Sequence, residues 1–111
     1  MNSYEYINKI KEIKNLDTDY KVAKLLGCRQ TKISNYREGQ SMDNETARQV
    51  AKILGVSVWK VIADMEIQRL ERQDKNQEAE IWHKLSKEAG KATSNLLILN
   101  VIFSLSALYY I

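Results

Sequence analysis

Apolar residues recur along this chain at helical spacing, in runs separated by glycines or short polar clusters. Tyr6, Ile7, Ile10 and Ile13 form the first run; they predict an amphipathic helix capped by Ser3, with Glu5 in its first turn and Lys9, Lys11 and Lys14 facing solvent. Residues 15–18 make a connection, and Thr18 is positioned to cap a second helix over 19–26 that shows Val22, Leu25 and Leu26 on one face. Gly27 stops it, Cys28 follows as a small residue of the buried type, and a third helix begins near Gln30 with only Ile33 and Tyr36 turned inward. After the polar turn at 38–41, Ser41 or Asp43 caps a fourth helix carrying the stripe Ala47, Val50, Ala51 and Leu54. Gly55 ends that helix, and Ser57 caps a fifth with Val58, Val61, Ile62 and Met65. Trp59 on this helix is either buried or a contact for a second copy.

From residue 64 to 91 the pattern turns to mixed charge, broken at Asp74 or Asn76, after which Ile81, Trp82, Leu85 and Ala89 form a narrow stripe. That stripe either folds back on the domain or meets its copy in a dimer, and it lacks the sustained heptad of a long coiled coil. Proline is absent and no stretch alternates as a strand does, so the fold class expected is all-α.

The second and third helices, 22–39 (VAKLLGCRQTKISNYREG), space small, apolar and polar residues as a helix-turn-helix requires. Ala23 lets a second helix cross closely, and Gly27 accepts the left-handed backbone of a tight turn. Burying Ile33 and Tyr36 leaves Gln30, Thr31, Lys32, Ser34, Asn35 and Arg37 pointing outward. Gln and Asn amides pair with adenine in the major groove, Arg and Lys with guanine or phosphate, and Ser and Thr hydroxyls with either. A solvated surface helix carries similar residues; the register of Ala23, Gly27, Ile33 and Tyr36 favours the DNA-reading explanation. Tyr20 and Lys21, at the start of the second helix, can donate to phosphates.

On these residues the chain resembles the Cro/repressor-type helix-turn-helix family over about residues 1–63. YEYINKIKEIK, DYKVAKLLG, ISNYREG, TARQVAKILGV and EIWHKL are similar, more closely, to a family of small phage-related proteins with this domain. The resemblance implies a five-helix DNA-binding domain and a phage or prophage regulatory role. Carried over by position, it implies that Gln30, Thr31, Ser34 and Asn35 face bases, with Lys21, Lys32, Arg37 and Gln40 near the backbone. Where the wider family often has Ser or Thr before the recognition helix, this chain has Arg29, so the N-cap is missing or supplied differently.

Charge sharpens this picture modestly. The 111 residues carry a net charge of +3, with 11 Lys/Arg against 7 Asp/Glu in residues 1–62 and 6 against 7 in residues 63–111. The basic excess therefore sits with the helix-turn-helix, as a phosphate-binding face needs. Cys28 is the single cysteine and His83 the single histidine, so no disulfide, thiolate metal site or histidine cluster is expected. No nucleophile motif or glycine-rich phosphate loop occurs; neither an enzyme, a cofactor nor a metal is expected. The N-terminal MNSYEYINKIKEIK lacks the apolar core of a signal peptide.

The final nineteen residues, 93–111 (TSNLLILNVIFSLSALYYI), contain no charge. As a helix they would reach about 28 Å, near the ~30 Å hydrocarbon thickness of a bilayer. Lys84, Lys87 and Lys91 precede them and Tyr109 and Tyr110 lie at the far end, the arrangement of a tail anchor with its N-terminal side in the cytoplasm. Asn95, Asn100, Ser104 and Ser106 interrupt the segment, and a buried helix docked on the domain or swapped into an oligomer is the other reading.

The expected organisation is thus a helix-turn-helix domain over 1–63, a charged helical extension over 64–92 and an apolar helical tail over 93–111. The expected function is sequence-specific, repressor-like transcriptional regulation, with helix 30–37 in the major groove of duplex DNA. The alternative is a membrane-associated protein-interaction module in which the tail carries the function. Homodimerisation and membrane association through 93–111 complete the partner expectations, and the location expected is the cytoplasm with the tail anchored in the inner membrane.

Overall fold

The computed structural model describes residues 1–94; of the tail expected over 93–111, the first two residues end the last helix and 95–111 lie outside the described residues. Those residues form six helices and no strand: α1 (Ser3–Lys14), α2 (Asp19–Leu26), α3 (Gln30–Arg37), α4 (Asn44–Leu54), α5 (Val58–Arg72) and α6 (Asn76–Ser94). Local chemistry accounts for most of the boundaries. Thr18, Asp43 and Ser57 cap α2, α4 and α5 with side-chain oxygens that accept from backbone N–H groups. Gly27 and Gly55 end α2 and α4 in the left-handed conformation, at φ 69° and 68°. Asp74, at φ 58°, lies in the break between α5 and α6.

The start of α1 differs from expectation. Asn2, not Ser3, is the N-cap, and it forms a capping box with Glu5. Ser3 is instead fully buried, and its Oγ donates to the Gln40 carbonyl at 2.6 Å. Gln68 of α5 completes this joint: its amide oxygen accepts from the Ser3 N–H at 2.8 Å and its amide nitrogen donates to the Gly39 carbonyl at 2.8 Å. The first turn of α1 and the α3–α4 connection are thereby tied to α5, each satisfying polar groups that burial would otherwise strand.

The core lies where α1 packs against α2, α3 and α4, with α4 in turn packed on α5. Tyr6, Ile7 and Ile10 of α1 meet Val22, Ala23 and Leu26 of α2, Ile33 and Tyr36 of α3, Ala47, Val50 and Ala51 of α4, and Val61 and Met65 of α5. Two residues of the expected stripes fall outside it. Ile13, in the last turn of α1, and Leu25 are exposed, because each lies at the margin of its stripe near a helix end. Ala23, small enough for close approach, takes the buried place in α2.

α5 passes through residue 63, where the sequence places the edge of the first domain, and continues to Arg72 with Asp64, Met65, Ile67 and Leu70 buried. α6 returns antiparallel along it, so that Asp64 meets Ser86 and the Lys60 methylenes lie opposite Gly90. The packed face of α6 holds Ala79 and Ser86, whereas Ile81 and Leu85 are exposed. The expected stripe is therefore only partly covered, at Trp82 and Ala89. Ala79 and Ser86 win the buried face because two helices approach closely over small side chains.

Candidate nucleic-acid interface

α3 has little intrinsic reason to be a helix. Its eight residues, QTKISNYR, include β-branched and short polar residues, and Arg29 at its N-cap makes no side-chain capping bond. Tertiary packing holds it, through Ile33 and Tyr36, at most 3% exposed. At about 100° per residue those two occupy one side, while Gln30, Ser34, Thr31 and Asn35 fall on a contiguous arc of about 140° on the other. All four are exposed. The Ser34 hydroxyl donates back to the Gln30 carbonyl at 3.3 Å, and the side chains of Gln30, Thr31 and Asn35 make no hydrogen bond among the described residues. The expected base-facing residues are thus brought together on one exposed surface, with the side-chain amides of Gln30 and Asn35 and the Thr31 hydroxyl unengaged by the described residues.

The flanking residues are placed differently. Lys32 and Arg37 lie at the two borders of the arc, and each leans into the protein. The Lys32 ammonium donates to Thr46 Oγ1 at 3.1 Å and lies 3.5 Å from the Asp43 carboxylate. Arg37 donates to the Tyr4 hydroxyl and to Asp19, each at 2.7 Å, and stacks over the Tyr4 ring at 5.0 Å. Lys11 reaches the same carboxylate at 2.5 Å. Burial pushes the Asp19 carboxyl up, but hydrogen bonds from Lys11 and Tyr4 and the charges of Lys11 and Arg37 outweigh it and hold it below its ordinary value. Tyr20 and Lys21 are exposed at the start of α2, Lys21 paired with Asp17 at 2.7 Å, and Gln40 is exposed beyond α3. Arg29, just before α3, is exposed and makes no ion pair among the described residues. Cys28 sits half-buried behind it, and burial pushes its thiol above the ordinary value, so it is a packing residue and a poor thiolate.

A second polar arrangement, not foreseen from the sequence, centres on Asp64. This buried carboxylate accepts from the Tyr6 hydroxyl of α1, the Ser86 hydroxyl of α6 and the Lys60 ammonium at 2.9 Å; the N-terminal ammonium lies 3.4 Å away. Burial pushes its carboxyl up, and the bonds from Ser86, Tyr6 and Lys60 more than reverse that, leaving it below the ordinary range. A cleft of about 560 Å³ opens over it, lined in part by Gln68, His83 and Lys87. With its acceptor sites filled and its proton affinity lowered, Asp64 joins three parts of the fold and is a weak base. The signal for it in the sequence is an acidic residue set directly between apolar neighbours, Ala63 and Met65.

Among the described residues no group of three His, Cys, Asp or Glu could hold a metal ion, and no helix is long and apolar enough to cross a membrane. No family model, curated protein or solved structure matches the chain.

Proposed function

We propose that the chain is a sequence-specific DNA-binding regulator on a five-helix, repressor-like scaffold, with α2 and α3 as its helix-turn-helix. The observation that carries this reading is the solvent-facing arc of Gln30, Thr31, Ser34 and Asn35, backed by the buried Ile33 and Tyr36, in which only the Ser34 hydroxyl is engaged, by the Gln30 carbonyl. An α-helix with its side chains is about 10–12 Å across, which the roughly 12 Å wide major groove admits. Arg29 supplies charge for a phosphate next to α3, and Lys21 at the start of α2 can exchange its exposed partner Asp17 for another; the uncapped N-terminus of α3 adds its partial positive charge. Regulation follows from occupancy of a site, so the mechanism is binding, and a phage or prophage setting is what the sequence resemblance implies.

Selection of random duplex DNA by the full-length chain tests this. An enriched motif is expected, two-fold related if the chain binds as a homodimer; recovery of DNA without sequence enrichment would refute specific recognition.

A second reading concerns residues 93–111. Nineteen uncharged residues following the lysines of α6 favour tethering of the same molecule to a membrane, with the DNA-binding domain in the cytoplasm.

A further inference from the structure

The α4–α5 connection and the first turn of α5 form an uncharged surface. Residues 53–59, ILGVSVW, carry no charge and run between Lys52 and Lys60. Ile53, Leu54, Val56 and Val58 are half-buried against the core, and Trp59 stands out from them 70% exposed. A solvent-facing indole of this kind is costly in water and suits a boundary with one apolar and one wet side.

Its position in the fold indicates what covers it. Because α5 and α6 are antiparallel, with Lys60 opposite Gly90, the first turn of α5 shares one end of the molecule with the last turns of α6. The uncharged 93–111 segment continues the chain from that same end. We infer that this end rests on a lipid bilayer, with Trp59 in the interfacial layer beside the entry of the tail and the exposed Lys52 toward the headgroups. This rests on the tethering reading of 93–111 and is independent of DNA binding. A second copy seated on this end alone fits less well, since one exposed aromatic among half-buried aliphatics falls far short of the roughly 800 Å² per partner that a stable interface buries; the exposed Ile81 and Leu85 lie further back along α6.

The test uses the full chain carrying Trp82→Phe, so that Trp59 is the sole tryptophan, mixed with phosphatidylcholine vesicles with and without phosphatidylglycerol. Co-flotation, a blue shift of Trp59 emission and quenching by lipids brominated near the headgroup end of the acyl chain are expected, with Trp59 open to iodide when lipid is absent. Trp59→Ser, a surface change that keeps the fold, should lower vesicle partition about tenfold. Failure to co-float would overturn the tethering reading and this inference with it. Co-flotation with Trp59 still quenched by aqueous iodide would overturn the inference alone. Protection from iodide without lipid would assign the surface to a second copy instead.

Discussion

The buried Asp64 ties α5 to α1 and α6, and it and its partner Tyr6 have measurable consequences. Asp64 is depressed in the folded state relative to the unfolded chain, so its contribution is complete above the ordinary carboxylate range and is lost as pH falls through its folded value. Tyr6, pushed up by burial and by Asp64, works in the other direction: its contribution is complete below the ordinary 10.0 and is lost as pH climbs above it. Chemical denaturation across pH should therefore show stability falling on both flanks. Asp64→Asn should flatten the acid flank. Asp64→Ala, which strands Tyr6, Ser86 and Lys60, should cost on the order of 3–5 kcal/mol in unfolding free energy. Arg37 and Arg29 form a contrasting pair. Arg37 is engaged by Tyr4 and Asp19, so Arg37→Ala is expected to lower both thermal stability and DNA affinity. Arg29→Ala should leave the melting temperature unchanged and reduce the salt slope of DNA binding by about one.

The turn and the helix pair respond to backbone chemistry. Gly27 ends α2 at φ 69°, and a methyl added there would have nothing within 4 Å. Gly27→Ala therefore meets no clash and should cost only the left-handed strain, about 1 kcal/mol, with Gly27→Asn costing less. Gly90 is helical, and an added methyl would meet the Lys60 methylenes at 3.4 Å. Gly90→Ala should raise the thermal midpoint, by the equivalent of roughly 0.5–1 kcal/mol. These glycines also show what sequence makes legible. Caps and stops such as Thr18, Gly27, Asp43, Gly55 and Ser57 act on neighbours within a few residues, and they stand where the pattern places them. Ser3 reads as a cap because its hydroxyl is a good acceptor; its partner is 37 positions away, which local spacing does not encode. Asp64 reads as the start of a charged extension for the same reason, since its partners Tyr6 and Ser86 are 58 and 22 positions distant. Ile81 and Leu85 read as a packing stripe, yet α6 turns the smaller Ala79 and Ser86 to α5.

At the scale of the whole molecule, the helices divide the work. α1 and α4 supply much of the core, α2 and α3 hold a polar arc to solvent, and α5 with α6 extends the scaffold toward the uncharged tail. The residues of the arc are legible because exposing one helical face requires only that the opposite face be apolar, and Ile33 and Tyr36 meet that need. The pairing of Lys32 with Asp43 and of Arg37 with Asp19 is not, because those contacts depend on how α3 lies against α1, α2 and α4. In the proposed reading, base contact therefore rests on the four arc residues and phosphate contact on Arg29 and Lys21. The most direct measurement is a salt titration of the selected duplex and a scrambled duplex against the full-length chain, Gln30→Ala and Asn35→Ala. Each substitution should lose on the order of 1–3 kcal/mol on the selected duplex, little on the scrambled one, and leave the salt slope unchanged. Equal affinity of all three proteins for the selected duplex would contradict α3 as the reading helix.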